Sequence, residues 1–337
     1  MRVLLLFLLR LCALGIAALT FLPLLWRVEP RLIALEAMAP QFGIAAIGLG
    51  MALLLLRSWV WTGVGFVTAI WSLVLVWPDL VSPMLSDRTE AKTEVDAATL
   101  KIVSFNVWFD NPDTETTLAY LSGSGADVIG LVEVTPEIKV ALAPLDRIYP
   151  YRIDCLGADP ECEIMLLSKH PLLHPYAGPL DGRFPYVAEG EIEWGGQIIG
   201  IAMTHLSWPF LPAPRPPLAA TELPPPVPEL PDLPRLEQSV QAANLAQHVA
   251  TLPADLVLMG DFNSPPWGAM QGALRSATGL DNRGRLLFTW PAWAQPMFRL
   301  PIDQVFTRGR LRVIDIAAGP QAGSDHLPIE AEIGLVR

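Results

Sequence analysis

Polar and apolar positions divide this chain into two regimes. Residues 3–26, 37–56 and 58–77 are almost unbroken apolar runs of about 20 or more residues, each long enough to cross about 30 Å of hydrocarbon as a helix. The pattern predicts three membrane spans within residues 1–78. A cleaved signal peptide is a poorer account of the first run, which is too long for such a segment and is followed by two more. Trp26, Trp59, Trp61 and Trp77 stand at the expected span ends, where indole rings favour the headgroup level. Residues 79–99 then turn polar, small and non-periodic, the pattern of a linker.

From Lys101 onward, short β-rich runs alternate with helical ones. KIVSFNV, DVIGLVEV, CEIMLLS, YVAEGEIEW, QIIGIAMTH, DLVLMGD, IDQVFTR, LRVIDIAAG and PIEAEIGLV read as strands, while residues 114–122, a stretch after Pro136, and residues 235–251 read as helices. Many strands and few helices within residues 100–337 predict one α+β domain, with two sheets packed together and flanked by helices. Residues 208–234 (WPFLPAPRPPLAATELPPPVPELPDLP) depart from this pattern, because so many prolines preclude ladder pairing and favour extended polyproline segments. They read as a solvated surface loop, with a lid or membrane-contacting flap as the alternative, since the excursion begins three residues after His205.

Charge bears on partners and on membrane side. Residues 96–337 carry 16 Lys plus Arg against 28 Asp plus Glu, a net of −12, so the domain lacks the basic footprint of a protein that grips polyphosphate backbones. With three spans, Arg2 and Arg57 fall on one side, and Arg27, Arg31, Arg88 and Lys92 on the other. The positive-inside rule alone would therefore place the domain in the cytoplasm. Cys155 and Cys162 pull the other way. They flank LGADPE, a loop between two expected strands, where they are either two free thiols or a disulfide closing a hairpin, and a disulfide persists only in an oxidising compartment. Weighting the cysteines more, the expectation is a domain on the extracytoplasmic side.

The chemistry-bearing residues cluster in short stretches at the ends of apolar runs. LVLMGDFNSPP (256–266) leads, with Gly260 freeing the backbone to turn so that Asp261 and Asn263 emerge together at a strand end. SFNVW (104–108), GLVEV (130–134), MTHLSWP (203–209), IDQVF (302–306) and GSDHLPI (323–329) add Asn106, Glu133, His205, Asp303, Asp325 and His326. Each stretch alone is an ordinary turn or strand end; together they can share one rim. No GxSxG elbow or P-loop is present, which removes the main support for serine hydrolase and NTPase chemistry.

The ordered set N…E…H…GDFN…D…SDH, running from about Lys101 to the C-terminus, resembles the endonuclease/exonuclease/phosphatase superfamily. That superfamily includes deoxyribonuclease I, abasic endonucleases of the exonuclease III type, inositol polyphosphate 5-phosphatases and neutral sphingomyelinases. The resemblance implies a four-layer αββα sandwich with its site at one edge of the two sheets, and does not extend to the N-terminal apolar region. It further implies that Glu133 is the principal Mg²⁺ ligand, helped by Asn106 and Asp325, with Mn²⁺ as an alternative ion. By the same resemblance, Asp261 acts on the attacking water and Asn263 on the phosphate or the developing oxyanion. His326, hydrogen-bonded to Asp303, stabilises the transition state, and His205 contacts the phosphate. Arg183 is a further phosphate contact by its place before the strand at 186–194.

Chemistry independent of the resemblance agrees. Mg²⁺ prefers carboxylate, amide and water oxygens, which Glu133 and Asn106 can supply, and no thiolate or His cluster of zinc type is present. The basic residues expected around phosphate-recognition motifs of the 5-phosphatases, and the basic DNA-inserting loops of the abasic endonucleases, are not evident. The expectation is therefore a membrane-anchored, metal-dependent phosphoesterase acting on a lipid or other small phosphoester. A nuclease is the alternative, and a catalytically silent module that binds a phosphorylated ligand is the rival from outside the enzymes. No protein partner is inferable.

Overall fold

Three helices at the N-terminus, α1 (Arg2–Phe21), α2 (Ala39–Leu55) and α3 (Trp59–Leu85), correspond to the three apolar runs in a computed structural model that describes residues 1–85, 99–180, 183–209, 236–282 and 286–336. All three helical segments are long and apolar enough to cross a membrane, and they leave Val3, Phe7, Val60 and Val67 exposed. Helices α2 and α3 meet through small residues. A Cβ on Gly65 would lie 2.9 Å from the Ala46 carbonyl oxygen and from Gly50 Cα, the close approach by which helices associate where lipid competes for apolar surface. The third helix runs past the expected end at residue 77, and most of the expected linker, residues 86–98, lies outside the described residues.

Two mixed sheets follow. The first comprises β1 (Leu100–Asn106), β2 (Val128–Val132), β3 (Tyr151–Asp154), β4 (Ile164–Ser168), β10 (Leu311–Ala318) and β11 (Ile329–Leu335), in the order β10-β11-β1-β2-β4-β3. The second comprises β5 (Leu173–Leu180), β6 (Arg183–Trp194), β7 (Gln197–His205), β8 (Leu256–Asp261) and β9 (Asp303–Arg308), in that order. Each sheet has one parallel pair near its middle, β1 with β2 and β7 with β8.

Alternation along these strands explains the layering. On β8, Val257 and Met259 enter the core between the sheets, while Leu256 and Leu258 enter a second core outside sheet two. On β1 and β2, Ile102, Val128 and Val132 face the inter-sheet core, and Val103, Phe105, Ile129 and Leu131 face outward. With both faces covered, the strands read as continuous apolar runs. Helices α4 (Thr114–Gly123) and α5 (Pro136–Ala141) cover sheet one with Leu121 and Ile138; α6 (Glu237–Val249) and α7 (Ala269–Thr278) cover sheet two with Leu245, Val249 and Leu274. The result is the expected four-layer αββα order. Asp113 and Thr135 cap α4 and α5 by accepting from the backbone N–H groups of Thr116 and Ile138.

Strand β5 and helix α7 were not foreseen, and β3 was foreseen only as the strand expected before the Cys155–Cys162 loop. β5 (LHPYAGPL) carries two prolines and a glycine, tolerable because it is an edge strand whose open side needs no ladder donors. The helical pattern of α7 is interrupted by Gly272. Cys155 and Cys162 form a disulfide with Cα atoms 5.6 Å apart, closing the turn between β3 and β4. Of the Pro-rich stretch, residues 210–234 lie outside the described residues.

The helical region is tied to the sandwich at several points. Between α1 and α2 the chain forms a 3-10 segment, Pro30–Met38. Glu36 in it accepts from the Ala269 backbone N–H at 3.0 Å through its carboxylate and from Trp267 Nε1 at 2.7 Å through its carbonyl. The first contact places a carboxyl oxygen at the start of α7, whose own N-cap, Gly268, has no side chain to cap it. Gln41 Nε2 donates to the Arg299 carbonyl at 2.9 Å, and Arg275 pairs with Asp79 at 3.1 Å.

Candidate active site

Strand parity aims the polar residues at one edge of the inter-sheet core. Asn106 continues the side of β1 to which Ile102 belongs, and Asp261 the side of β8 to which Val257 and Met259 belong. His205 pairs with Asp261 and Asp261 with Asp303 in the strand register, so the three form one row across β7, β8 and β9, with directly opposite side chains on the same face. Glu133 follows β2, beside the end of β1. The row depends on Gly260, where φ is 144° and a Cβ would fall 1.8 Å from the Thr204 carbonyl oxygen. Trp108, Glu133 and Asn263 also have positive φ, so backbone strain gathers at this edge, as it does at functional sites.

Hydrogen bonds join the set around Asp261. Its Oδ1 accepts from the Asn263 backbone N–H at 2.8 Å and its Oδ2 from Asn106 Nδ2 at 3.1 Å, while Asn106 Nδ2 also donates to Glu133 Oε1 at 2.7 Å. Asn106 Oδ1 accepts from the Trp108 backbone N–H, so it is the amide nitrogen that faces the carboxylates. His326 Nδ1 meets Asp303 Oδ2 at 2.9 Å, and Thr289 donates to the same oxygen. That arrangement turns His326 Nε2 toward Asp261 Oδ2, 3.7 Å away. His205 Nδ1 is 2.6 Å from Glu163 Oε1, and its Nε2 lies 3.9 Å from Asp261 Oδ2. Asp325 accepts from Trp290 Nε1 at 2.9 Å through Oδ2, while its Oδ1 is buried with no partner among the described residues.

Charge in this edge is lopsided. Burial opposes charging His326, but Asp303, Asp261 and Asp325 outweigh it and raise the imidazole to about 9. Burial likewise opposes charge on His205, and Glu163, Asp261 and Glu133 raise it to about 10. Burial and the neighbouring Asp303 push the Asp261 carboxyl up to about 7, against the two imidazoles. With His205 protonated, its Nε2 faces Asn263 Nδ2 at 3.2 Å, donor against donor, and since one Asn263 N–H is given to the Leu206 carbonyl, the other and the imidazolium N–H are left for an anionic oxygen capping the pair from one side.

The donor set fits a divalent cation. Ligand atoms of Glu133, His205 and Asp261 lie within 4.8 Å of one another, as do those of Asp261, Asp303 and His326. Carboxylates of Glu133, Asp261, Asp303, Asp325 and Glu163 surround two imidazoles, and a hard cation beside Glu133 and Asp261 offsets that surplus with the oxygen ligands Mg²⁺ and Mn²⁺ prefer. The side chain of Arg183, the remaining candidate, lies outside the described residues.

Several participants were not anticipated. Glu163 was hidden because a carboxylate just before a strand is usually a solvated end; its place beside Glu133 follows only from the pairing of β2 with β4, with the Val134 N–H donating to the Glu163 carbonyl. Thr289, Trp290 and Ser324 act as supports. Ser324 Oγ bonds the Asn106 carbonyl at 2.7 Å and accepts from the His326 N–H at 3.0 Å. The serine of the SDH motif was a readable signal; Thr289 and Trp290 had none.

Solved structures share this fold. An endonuclease/exonuclease/phosphatase from Bacteroides vulgatus aligns at 14% identity and TM-score 0.53, covering 71% of this chain and 99% of its own. A functionally unknown conserved protein from Enterococcus faecalis aligns at 15% identity and TM-score 0.53, with coverages of 70% and 100%. D. rerio TDP2 complexed with single strand DNA product aligns at 16% identity and TM-score 0.51, with coverages of 71% and 99%. Comparison with curated protein sequences returns no match. The model of the Endonuclease/Exonuclease/phosphatase family matches residues 103–326. That stretch contains every polar residue of the site just described, and the chain belongs to this family of metal-dependent hydrolases of ester bonds.

Proposed function

We propose that this protein is a membrane-anchored phosphoesterase that uses Mg²⁺ or Mn²⁺ to hydrolyse a phosphoester of a lipid or other small molecule by direct attack of water. The observation that carries the reading is the convergence of Glu133, Asp261, His205 and His326, from both sheets, on one edge. Glu133 and Asp261 would hold the metal, which would supply Lewis acidity and charge at the phosphoryl group. Asn106 fixes both carboxylates through its amide nitrogen. Asp325 is a less direct participant, since it contacts Trp290 and stands beside His326. Asp261 orients the attacking water through the carboxylate oxygen that the metal would leave free and takes its proton there. His205 and Asn263 present N–H donors to a phosphoryl oxygen, with Glu163 holding the imidazole. His326, kept protonated by Asp303, donates to charge that develops as the leaving group departs.

The three apolar helices and their tethers to the sandwich support an anchored enzyme. The Cys155–Cys162 disulfide supports an extracytoplasmic domain. A nuclease reading draws on the fold shared with a DNA-bound structure, but the net charge of −12 over residues 96–337 weighs against it. The full chain in lipid nanodiscs, assayed with Mg²⁺ or Mn²⁺ against lipid phosphodiesters, lipid phosphomonoesters and single-stranded DNA, tests the reading. Metal-dependent turnover of a lipid phosphoester above that of DNA is expected. Preferred DNA cleavage would favour the nuclease, and no turnover of any substrate would favour a binding module.

A further inference from the structure

A cavity of about 200 Å³ adjoins the catalytic edge, and one of its walls comes from the helical region. Ile33 to Met38 of the 3-10 segment form that wall. Across from it stand Trp208, Leu236, Met270, Trp290, Leu300 and Ile302, all apolar or aromatic, with Asn263 and Ser264 at the catalytic side. Trp290 belongs to both places. Its indole N–H holds Asp325, its ring lies 6.3 Å from that of His326, and Trp208 packs edge-on against it at 5.1 Å. Asn263 also belongs to both, and its Oδ1 is buried without a partner among the described residues.

Such a chamber has one suitable occupant. Its polar lining, Glu36, Gln238 and Ser239 with Asn263 and Ser264, is outnumbered by apolar side chains, and Glu36 and Gln238 are already bonded to the Ala269 N–H and to the Phe262 and Asn263 carbonyls, so an apolar group attached directly to the phosphoester is what it would keep dry. An engineered apolar cavity of about 150 Å³ binds one benzene; about 200 Å³ therefore accommodates part of one chain and excludes a second. The loop beyond Trp290 exposes Trp293, Met297 and Phe298, and its Arg299 carbonyl is bonded to Gln41 near the start of α2. An apolar, outward-facing rim is thus continuous with the helical region.

We infer that this chamber is a subsite for a single apolar chain, so that the substrate is an amphiphile with its phosphoester one chain-length step from the membrane region's 3-10 segment. The inference rests on the phosphoesterase reading and adds a substrate class to it. Amphiphilicity here is recognised by the enzyme's own walls and not only by partition into the bilayer.

The test uses the full chain in nanodiscs with Mg²⁺ and a series of soluble chromogenic diesters, methyl, butyl and hexyl p-nitrophenyl phosphate. The ratio of hexyl to methyl kcat/KM is the readout, measured in wild type, in Ala34→Phe, and in Ser239→Phe, which fills the chamber from the opposite wall. In wild type, kcat/KM should rise by about fourfold for each methylene buried and level off once the chamber is full. In either filled variant the ratio should fall toward one. A wild-type ratio near one, with the methyl ester turned over, overturns the inference and leaves the phosphoesterase standing. A steep ratio retained in either folded filled variant assigns the preference to bilayer partition and also overturns it. No turnover of any diester, together with none of the lipid phosphomonoesters, sinks the underlying reading instead.

Discussion

Replacing Asp303 by Asn deletes the charge that does most to keep His326 protonated while preserving side-chain volume. In the native arrangement the Asp303 carboxylate takes His326 Nδ1 at 2.9 Å and a hydroxyl from Thr289 on the same oxygen. The imidazole is raised from 6.5 to about 9, a displacement equivalent to about 3 kcal/mol in favour of the imidazolium. Loss of a stabilisation of that order, if it acts in the transition state, lowers kcat by a factor of about 10². KM should change little, because the group acts on developing charge. The sign of the pH effect follows from the raised pKa. Activity that needs protonated His326 is present at neutral pH and lost as pH rises through the raised imidazole pKa, about 9 before a metal binds beside Asp261; in Asp303→Asn that loss should move to lower pH. The ion pair's contribution to folding has the same window, full below about 6.5 and lost on passing about 9. Steady-state kinetics from pH 6 to 10 on a soluble diester, with thermal unfolding as the control for folding, measures all of this. A variant with wild-type kcat and an unmoved alkaline limb would refute the role given to the Asp303–His326 pair.

Gly260→Ala should unfold or severely destabilise the domain, by about 3 kcal/mol or more, because the new Cβ meets the Thr204 carbonyl oxygen; a melting temperature within a degree or two of wild type would contradict the register described. Paired Cys155→Ser and Cys162→Ser substitutions should cost about 2 kcal/mol, the loop-closure value for so short a crosslink, read by denaturant unfolding. In cells, an impermeant thiol reagent should label both cysteines only after reduction; ready labelling without a reductant would argue against the disulfide, and no labelling even after reduction would argue against the extracytoplasmic side. Glu36→Ala removes the carboxylate at the start of α7 and should cost about 1 kcal/mol in thermal stability of the full chain, with no loss expected only if the 3-10 segment does not rest on the sandwich.

What the sequence made legible was what depends on alternation and on strand ends. The continuous apolar run of β8 followed by GDFN placed Asp261 and Asn263 at a rim, and the buried strands could be recognised without knowing their neighbours. Pairing between distant strands was not legible, and Glu163 shows why: its contact with His205 exists only because β4 lies beside β2 in one sheet while His205 ends a strand of the other. The 3-10 segment was hidden for a similar reason. Residues 30–38 mix apolar side chains with Glu36, too polar for a span centre and too short for a helix by pattern, and the segment's role emerges from the backbone groups of Trp267 and Ala269 that it meets. Asn106 was legible as a site residue, but the side of its amide that faces the carboxylates was set by the Trp108 N–H.

The central claim is that Glu133 and Asp261 hold a divalent cation at which a phosphoester is cleaved. The most direct measurement compares wild type and Glu133→Gln in one titration with Mg²⁺ and with Mn²⁺, following both thermal unfolding and hydrolysis of a lipid phosphodiester. Wild type should gain about 2.7 kcal/mol at a metal concentration 100 times its Kd, and hydrolysis should rise with the same midpoint. Glu133→Gln should melt at the metal-free temperature at all but the highest metal concentrations and show no hydrolysis there. Equal stabilisation and equal turnover in the two proteins would contradict the claim.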